Sequence, residues 1–310
     1  MSDRKPVICI LGPTGAGKTA ASLGLAARFP ARVLNFDSRQ VYKDFPIITA
    51  QPSPAEQAAC PHELYGFLPT TEATTVADFV DLANEKIDQT PTDALPILVG
   101  GTGMYLKALT SGLAPIPDIP DEIRVRMRQR VEEEGSAALF ADLEKVDPEY
   151  AKKTHPNNKQ RNVRALEVFE GTGKNFTWWH NREVPPSPYH FLKIGIKLDL
   201  DVLTPLLNKR IDIMLKNGAI DEARRAWEIC PDESAPGWTG IGCSELLSFI
   251  KGDIDIDEAK LLWAKNTRAY AKRQLTWFNR EKDIHWFSPD EPSKTVEFAA
   301  RWLAQNKKEG

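Results

Sequence analysis

Short unbroken apolar runs alternate along this chain with stretches of helical period, and the runs stop at glycine or aspartate. "VICIL" (7–11), "RVLNF" (32–36) and "LPILVGG" (95–101) are too short for core helices and too uniformly apolar for half-exposed strands. They read as buried strands of a parallel sheet. "TAASLGLAARF" follows the first run and "TGMYLKAL" the third, both with helical patterning. Strands alternating with helices predict an α/β fold. "SGLAPIPDIPDE" (111–122), with three prolines, then breaks the pattern. After it "EIRVRMRQRVEEE", "SAALFADLEKV" and "NNKQRNVRALEVFE" read as helices. "EVPPSPYHFLKIGIKLD" marks a second boundary and a return to a strand. The expected organisation is a sheet domain from 1–117 and 189–310, ending in helices, with a helical insertion at 118–188. A long helix is expected over 257–280.

Composition narrows the function classes. A chain of 310 residues with 42% hydrophobic positions can bury a sizeable core. The net charge of −3 gives no global attraction to nucleic acid, so such a partner needs a local basic patch. Cys9, Cys60, Cys230 and Cys243 are scattered, with no CxxC pair, which argues against a zinc site and fits a reducing compartment. "MSDRKP" leads directly into a strand, and no apolar run approaches the roughly 18 residues that span a bilayer. A cytoplasmic protein, with no membrane partner, is expected.

The chemistry begins where the first strand ends. Gly12, Pro13, Thr14, Gly15, Ala16, Gly17, Lys18 and Thr19 match G-x-x-x-x-G-K-[ST] between a strand and a helix. Such a P-loop aims backbone N–H groups and a helix N-terminus at phosphate; Lys18 neutralises charge and the Thr19 hydroxyl can ligate Mg²⁺. The second run ends at Asp37, expected one strand over from the loop, where a carboxylate can take a proton or simply cap a turn. An NTPase usually ends its next strand in a Mg²⁺-binding aspartate. Here that strand ends in Gly100, Gly101 and Thr102. In the insertion, 151–166 carries five Lys/Arg and no acid, with Arg161 and Arg164 on one helical face. That face is either solvated or phosphate-binding. Lys265, Arg268 and Lys272 make a second stripe on the long helix. "FTWWHNR" (176–182) can stack bases or pack a hinge; packing is the preferred reading.

GPTGAGKT, DSRQVY, LVGGTGMYLKAL, HPNNKQRNVRALEVFEGTGK and NTRAYAKRQLTWF occur in this order, from residue 7 to about residue 287. Together they resemble the bacterial tRNA dimethylallyltransferases, or tRNA isopentenyltransferases. The resemblance implies a P-loop NTPase-like parallel sheet core with a helical insertion domain. It implies transfer of the dimethylallyl group from dimethylallyl diphosphate to N6 of the adenosine 3′ of a tRNA anticodon, with Mg²⁺ and release of diphosphate. By the same resemblance, Gly12 to Thr19 and Arg210 hold the diphosphate, with Lys18 and Thr102 at the reacting centre. Asp37 is the general base. Asp37, Ser38, Arg39, Gln40 and Thr102 line the adenine pocket. Arg124, Gln160, Arg161, Asn162, Val163 and Arg164 contact tRNA. A monomer is expected. The chain departs from the family pattern at Gln51, where a lysine is common, and at Cys243 and Ser244, where an aromatic and a base are common. These positions bear on tRNA contacts or core packing.

The alternatives are a prenyltransferase for free adenine nucleotides (an adenylate isopentenyltransferase), a nucleotide kinase, or an NTP-switched RNA-binding module. The first leaves the insertion and the basic helix without a task. The other two lack the strand-end aspartate.

Overall fold

The computed structural model describes residues 4–309. Among them, six strands form one wholly parallel sheet: β1 (Lys5–Leu11), β2 (Ala31–Asn35), β3 (His62–Glu63), β4 (Leu95–Gly100), β5 (Tyr189–Ile196) and β6 (Ile284–Phe287). Their order is β3-β2-β4-β1-β5-β6. The fold is α/β with a P-loop core, as its sequence pattern implies.

The three apolar runs are strands because both faces of the sheet are covered. Successive side chains of a strand point to opposite faces. Val7, Cys9 and Leu11 accordingly join Leu34, Leu98 and Phe79 in one core layer. Ile8 and Ile10 join Val33, Ile97 and Ile194 in the other. A third apolar cluster, around Phe45, Trp238, Leu246 and Trp263, draws on the helices Leu200–Lys216, Ala219–Ile229, Cys243–Lys251 and Ile256–Phe278.

Strand order corrects one expectation. β4 lies between β1 and β2, so Asp37 is two strands from the phosphate loop rather than one. The immediate neighbours of that loop are the end of β4, with Gly100, Gly101 and Thr102, and the end of β5. Buried apolar runs look alike, and nothing in them states which will pair with which.

The chain divides into two compact units, Met1–Thr110 with Ser187–Gly310, and Ser111–Pro186. Ser111–Pro117 therefore goes with the helical unit, and Ser187 and Pro188 with the sheet. The helical unit is built on Asp121–Val146, broken at Gly135 (φ 81°, ψ 163°), and on Lys159–Thr172. Met127, Val131, Leu139, Leu143 and Leu166 form its core. The two helical stretches expected there, 122–134 and 136–146, are two helices that meet at the non-helical Gly135.

Candidate active site

Gly12, Gly15 and Gly17 all have positive φ. At Gly12 (φ 146°) a Cβ would lie 2.1 Å from the carbonyl oxygen of Ile196 at the end of β5. Glycine is required there by the protein's own backbone as well as by any phosphate. The helix Lys18–Ala26 begins at the motif's lysine. The Lys18 ammonium donates to the carbonyls of Gly12 (3.1 Å) and Pro13 (2.9 Å). Burial pulls it down to about 8; Asp37 raises it and Arg210 lowers it further.

Asp37 follows β2. Its Oδ1 accepts the Arg39 N–H at 2.9 Å, a local turn contact. Its own N–H donates to Oδ1 of the fully buried Asn35 at 2.8 Å, so its backbone is fixed from both sides. Its Oδ2 comes within 3.3 Å of where a Cβ on Gly101 would stand. Thr102 and Ser38 are joined by two contacts: Ser38 N–H donates to Thr102 Oγ1 (2.9 Å), and Thr102 Oγ1 donates to Ser38 Oγ (3.2 Å). The ends of β2 and β4 are therefore tied by hydroxyls.

A cavity of about 250 Å³ opens at this strand end. Thr14, Asp37, Arg39, Arg210, Tyr270 and Arg273 give it polar walls; Ile48, Leu207, Ile211, Met214, Ile241 and Trp263 give it apolar ones. Arg210 reaches Thr14 Oγ1 at 3.5 Å, which places a guanidinium beside the phosphate loop. Burial lowers its pKa, against the pull of Asp37. Arg39 donates to Thr239 Oγ1 (2.8 Å). Gln40 donates to the carbonyls of Thr49 and Ala50 and so braces the loop that supplies Ile48 and Thr49 to the wall.

Three residues here escaped the sequence reading. Glu222 is buried and accepts the N–H groups of Ile47 and Ile48, bracing the same loop. Tyr270 lines the cavity; burial raises its pKa, then Asp37 does, while a hydrogen bond with Thr102 lowers it. Gln274 is 4% exposed and bonds to the phosphate loop and to the end of β4. The signal for it was available. Ala271, Gln274 and Phe278 share the buried side of one helix, and an amide in an apolar register must find partners.

The departures from the family pattern resolve into local structure. Gln51 donates to the Tyr42 carbonyl (2.7 Å). Cys243 is buried in the third apolar cluster, and Ser244 donates to Glu245 (2.9 Å). All four cysteines are free and buried.

Within the helical unit, Gln160 and Arg161 are exposed, and Arg164 is partly so, pairing with Glu167 at 3.2 Å. Asn162 is 0% exposed and donates to the Pro156 carbonyl, while Val163 packs against the unit's core and lines a cleft with Gln160 and Arg164. One turn of helix cannot present five consecutive residues to one partner. Arg124 pairs with Asp121 at 3.4 Å and keeps a buried Nε with no partner. Trp178 carries the Arg182 guanidinium 3.9 Å above its ring, and Trp179 Nε1–H donates to Thr172, which is packing within the unit.

Known proteins bear on this geometry. The family model described as IPP transferase matches residues 40–281. The tRNA dimethylallyltransferase of Maridesulfovibrio salexigens is 73% identical over 304 residues, 98% of this chain and 99% of that one. Its counterpart in Oleidesulfovibrio alaskensis is 57% identical over 282 residues, covering 91% and 92%. Among solved structures, the full-length tRNA isopentenylpyrophosphate transferase of Bacillus halodurans covers 99% of both chains at 34% identity, with a TM-score of 0.72. A eukaryotic dimethylallyltransferase captured acting on tRNA covers 98% of this chain and 80% of its own, with a TM-score of 0.83 and 26% identity. The family match spans most of the chain, and the relatives extend it across the phosphate loop: this chain is a member of the IPP transferase family.

Proposed function

We infer that this chain transfers a dimethylallyl group from dimethylallyl diphosphate to tRNA, at N6 of the adenosine 3′ of the anticodon. The observation that carries the reading is the cavity that brings together Thr14 of the phosphate loop, Asp37, the guanidinium groups of Arg39, Arg210 and Arg273, and an apolar wall. A short prenyl diphosphate is itself half anionic and half apolar. Lys18, Arg210 and the loop's N–H groups bind the diphosphate and stabilise the negative charge that grows as it leaves. The adenine amine is a weak nucleophile because its lone pair is shared with the ring. N6 bonds to C1 of the prenyl group as the C1–O bond breaks, and Asp37 Oδ2 takes the N6 proton. Thr102 and Ser38 hold the acceptor side in place. The base must leave its stack to arrive there, which costs least in a single-stranded loop. Gln160, Arg161 and Arg164 offer the helical unit's RNA-facing groups.

A Mg²⁺ ion fits the donor set. No cluster of three His, Cys, Asp or Glu side chains able to hold a metal occurs among the described residues. Mg²⁺ is commonly held by one or two protein oxygens, substrate phosphates and water. The Thr19 hydroxyl at the loop would be its protein ligand. When bound, the ion would neutralise leaving-group charge.

Labelled dimethylallyl diphosphate, incubated with bulk tRNA, with AMP and with ATP, tests the reading. Label in tRNA alone is expected. Label in AMP or ATP but not in tRNA would replace the reading with free-nucleotide prenylation.

A further inference from the structure

We propose that Gln274 is a positioning residue: its side-chain amide sets the distance between the phosphate loop and the end of β4, and thereby between donor and acceptor. β1 and β4 are paired strands, and their register ends at Leu11 opposite Gly100. Beyond that pair the two chains separate, one into the phosphate loop and the other into Gly101 and Thr102. Gln274 carries the pairing one step further. Its Oε1 accepts the Thr14 N–H at 2.9 Å, and its Nε2 donates to the Gly101 carbonyl at 2.9 Å.

Each end of this bridge touches a different half of the site. Thr14 lies beside Arg210 and belongs to the loop that holds diphosphate. Gly101 precedes Thr102, whose hydroxyl is bonded to Ser38, the neighbour of Asp37. A packing role alone would be met by leucine or methionine at this buried helical position. An amide carries a desolvation cost that only both of its hydrogen bonds offset. The close approach also explains a glycine. A Cβ on Gly101 would stand 2.1 Å from Gln274 Nε2, so the second glycine of "LVGGTG" and the glutamine of "AKRQLTWF" require each other.

The inference rests on the prenyl-transfer reading. Its test compares Gln274→Met, which keeps length and apolar bulk but neither hydrogen bond, with the wild-type enzyme in single turnover at saturating dimethylallyl diphosphate and tRNA. Donor and acceptor displaced by a fraction of an ångström should cost about 10-fold or more in rate. The Kd for inorganic diphosphate should stay within about threefold of wild type because the loop's own cations are intact, while the melting temperature should fall somewhat as the Thr14 N–H and the Gly101 carbonyl lose their partner. Gly101→Ala supplies an independent arm by driving the amide off its partners. Its Cβ also stands 3.3 Å from Asp37 Oδ2, so some loss remains on Gln274→Ala, but it should slow that variant markedly less than it slows the wild type, a non-additivity expected where the two act through one contact. A saturated rate equal to wild type, a defect confined to donor KM, or losses that simply add would each overturn the assignment. If the wild-type enzyme itself moves no label to tRNA, the prenyl-transfer reading falls instead.

Discussion

Asp37→Asn separates proton acceptance from every other role of that side chain. Oδ1 is committed to the Arg39 N–H at 2.9 Å. The backbone is held by Asn35, which donates in turn to the carbonyls of Asp37 (3.0 Å) and Leu64 (2.9 Å). An asparagine will therefore keep its carbonyl oxygen on Arg39 and present its NH₂ where Oδ2 stood. The opposite rotamer would leave the Arg39 N–H unpaired, at a cost of about 1–3 kcal/mol. Two consequences follow. The variant cannot take the N6 proton, and general-base help is worth roughly 10²–10⁴-fold, or about 2.7–5.5 kcal/mol. It also sets a donor against an amine donor, which weakens acceptor binding without touching the diphosphate. Single-turnover rates at saturating donor and tRNA should fall by about 10²-fold or more. The tRNA KM should rise, and donor Kd and melting temperature should hold. The assay is run across a Mg²⁺ titration, because a carboxylate that ligated metal would behave differently. Lost donor affinity restored by raised Mg²⁺ would refute the general-base assignment.

Lys18 gives a pH prediction with a definite sign. Its folded value of about 8 lies below the ordinary 10.5. Between these values the unfolded chain holds the proton and the folded chain does not, so the destabilisation from this group fades as pH rises through that window. Diphosphate binding wants the charged lysine. Affinity should therefore fall as pH rises above about 8, with proton uptake measurable by calorimetry in buffers of different ionisation enthalpy, and Lys18→Met should remove that pH-dependent component; a slope unchanged in the variant assigns it elsewhere. Arg161→Ala should lower the log–log salt slope of tRNA binding by about one unit, and Arg164→Ala by less, since Arg164 already shares its charge with Glu167. Equal slopes for both variants and the wild type would mark this face as merely solvated. Val163→Ala should cost about 1–2 kcal/mol in chemical denaturation of the helical unit and leave the salt slope unchanged, as its methyls are in the core.

Local order was the part of this protein written most plainly in its sequence. Three apolar runs became β1, β2 and β4 because a run apolar on both faces is stable only where both faces are covered. The phosphate loop was legible for a similar reason. Its chemistry is carried by backbone groups, and the backbone path depends on glycine spacing along a few consecutive residues. The ordered set of short motifs made the family legible as well. Strand order was not legible. Whether β4 inserts between β1 and β2 is decided by how all the layers pack, and it moved Asp37 from one strand away to two. The face of each residue in "QRNVR" was also decided in three dimensions. A helix turns about 100° per residue, so a motif continuous in sequence is split between surface and core, Arg161 outward and Asn162 inward. Gln274 shows the limit most directly. Its partners, Thr14 and Gly101, lie 260 and 173 positions away along the chain. A side-chain amide has no local pattern that names distant backbone groups. Only when β1 and β4 separate beyond their last paired residues does a gap exist for it to bridge, and that gap is a property of the folded sheet.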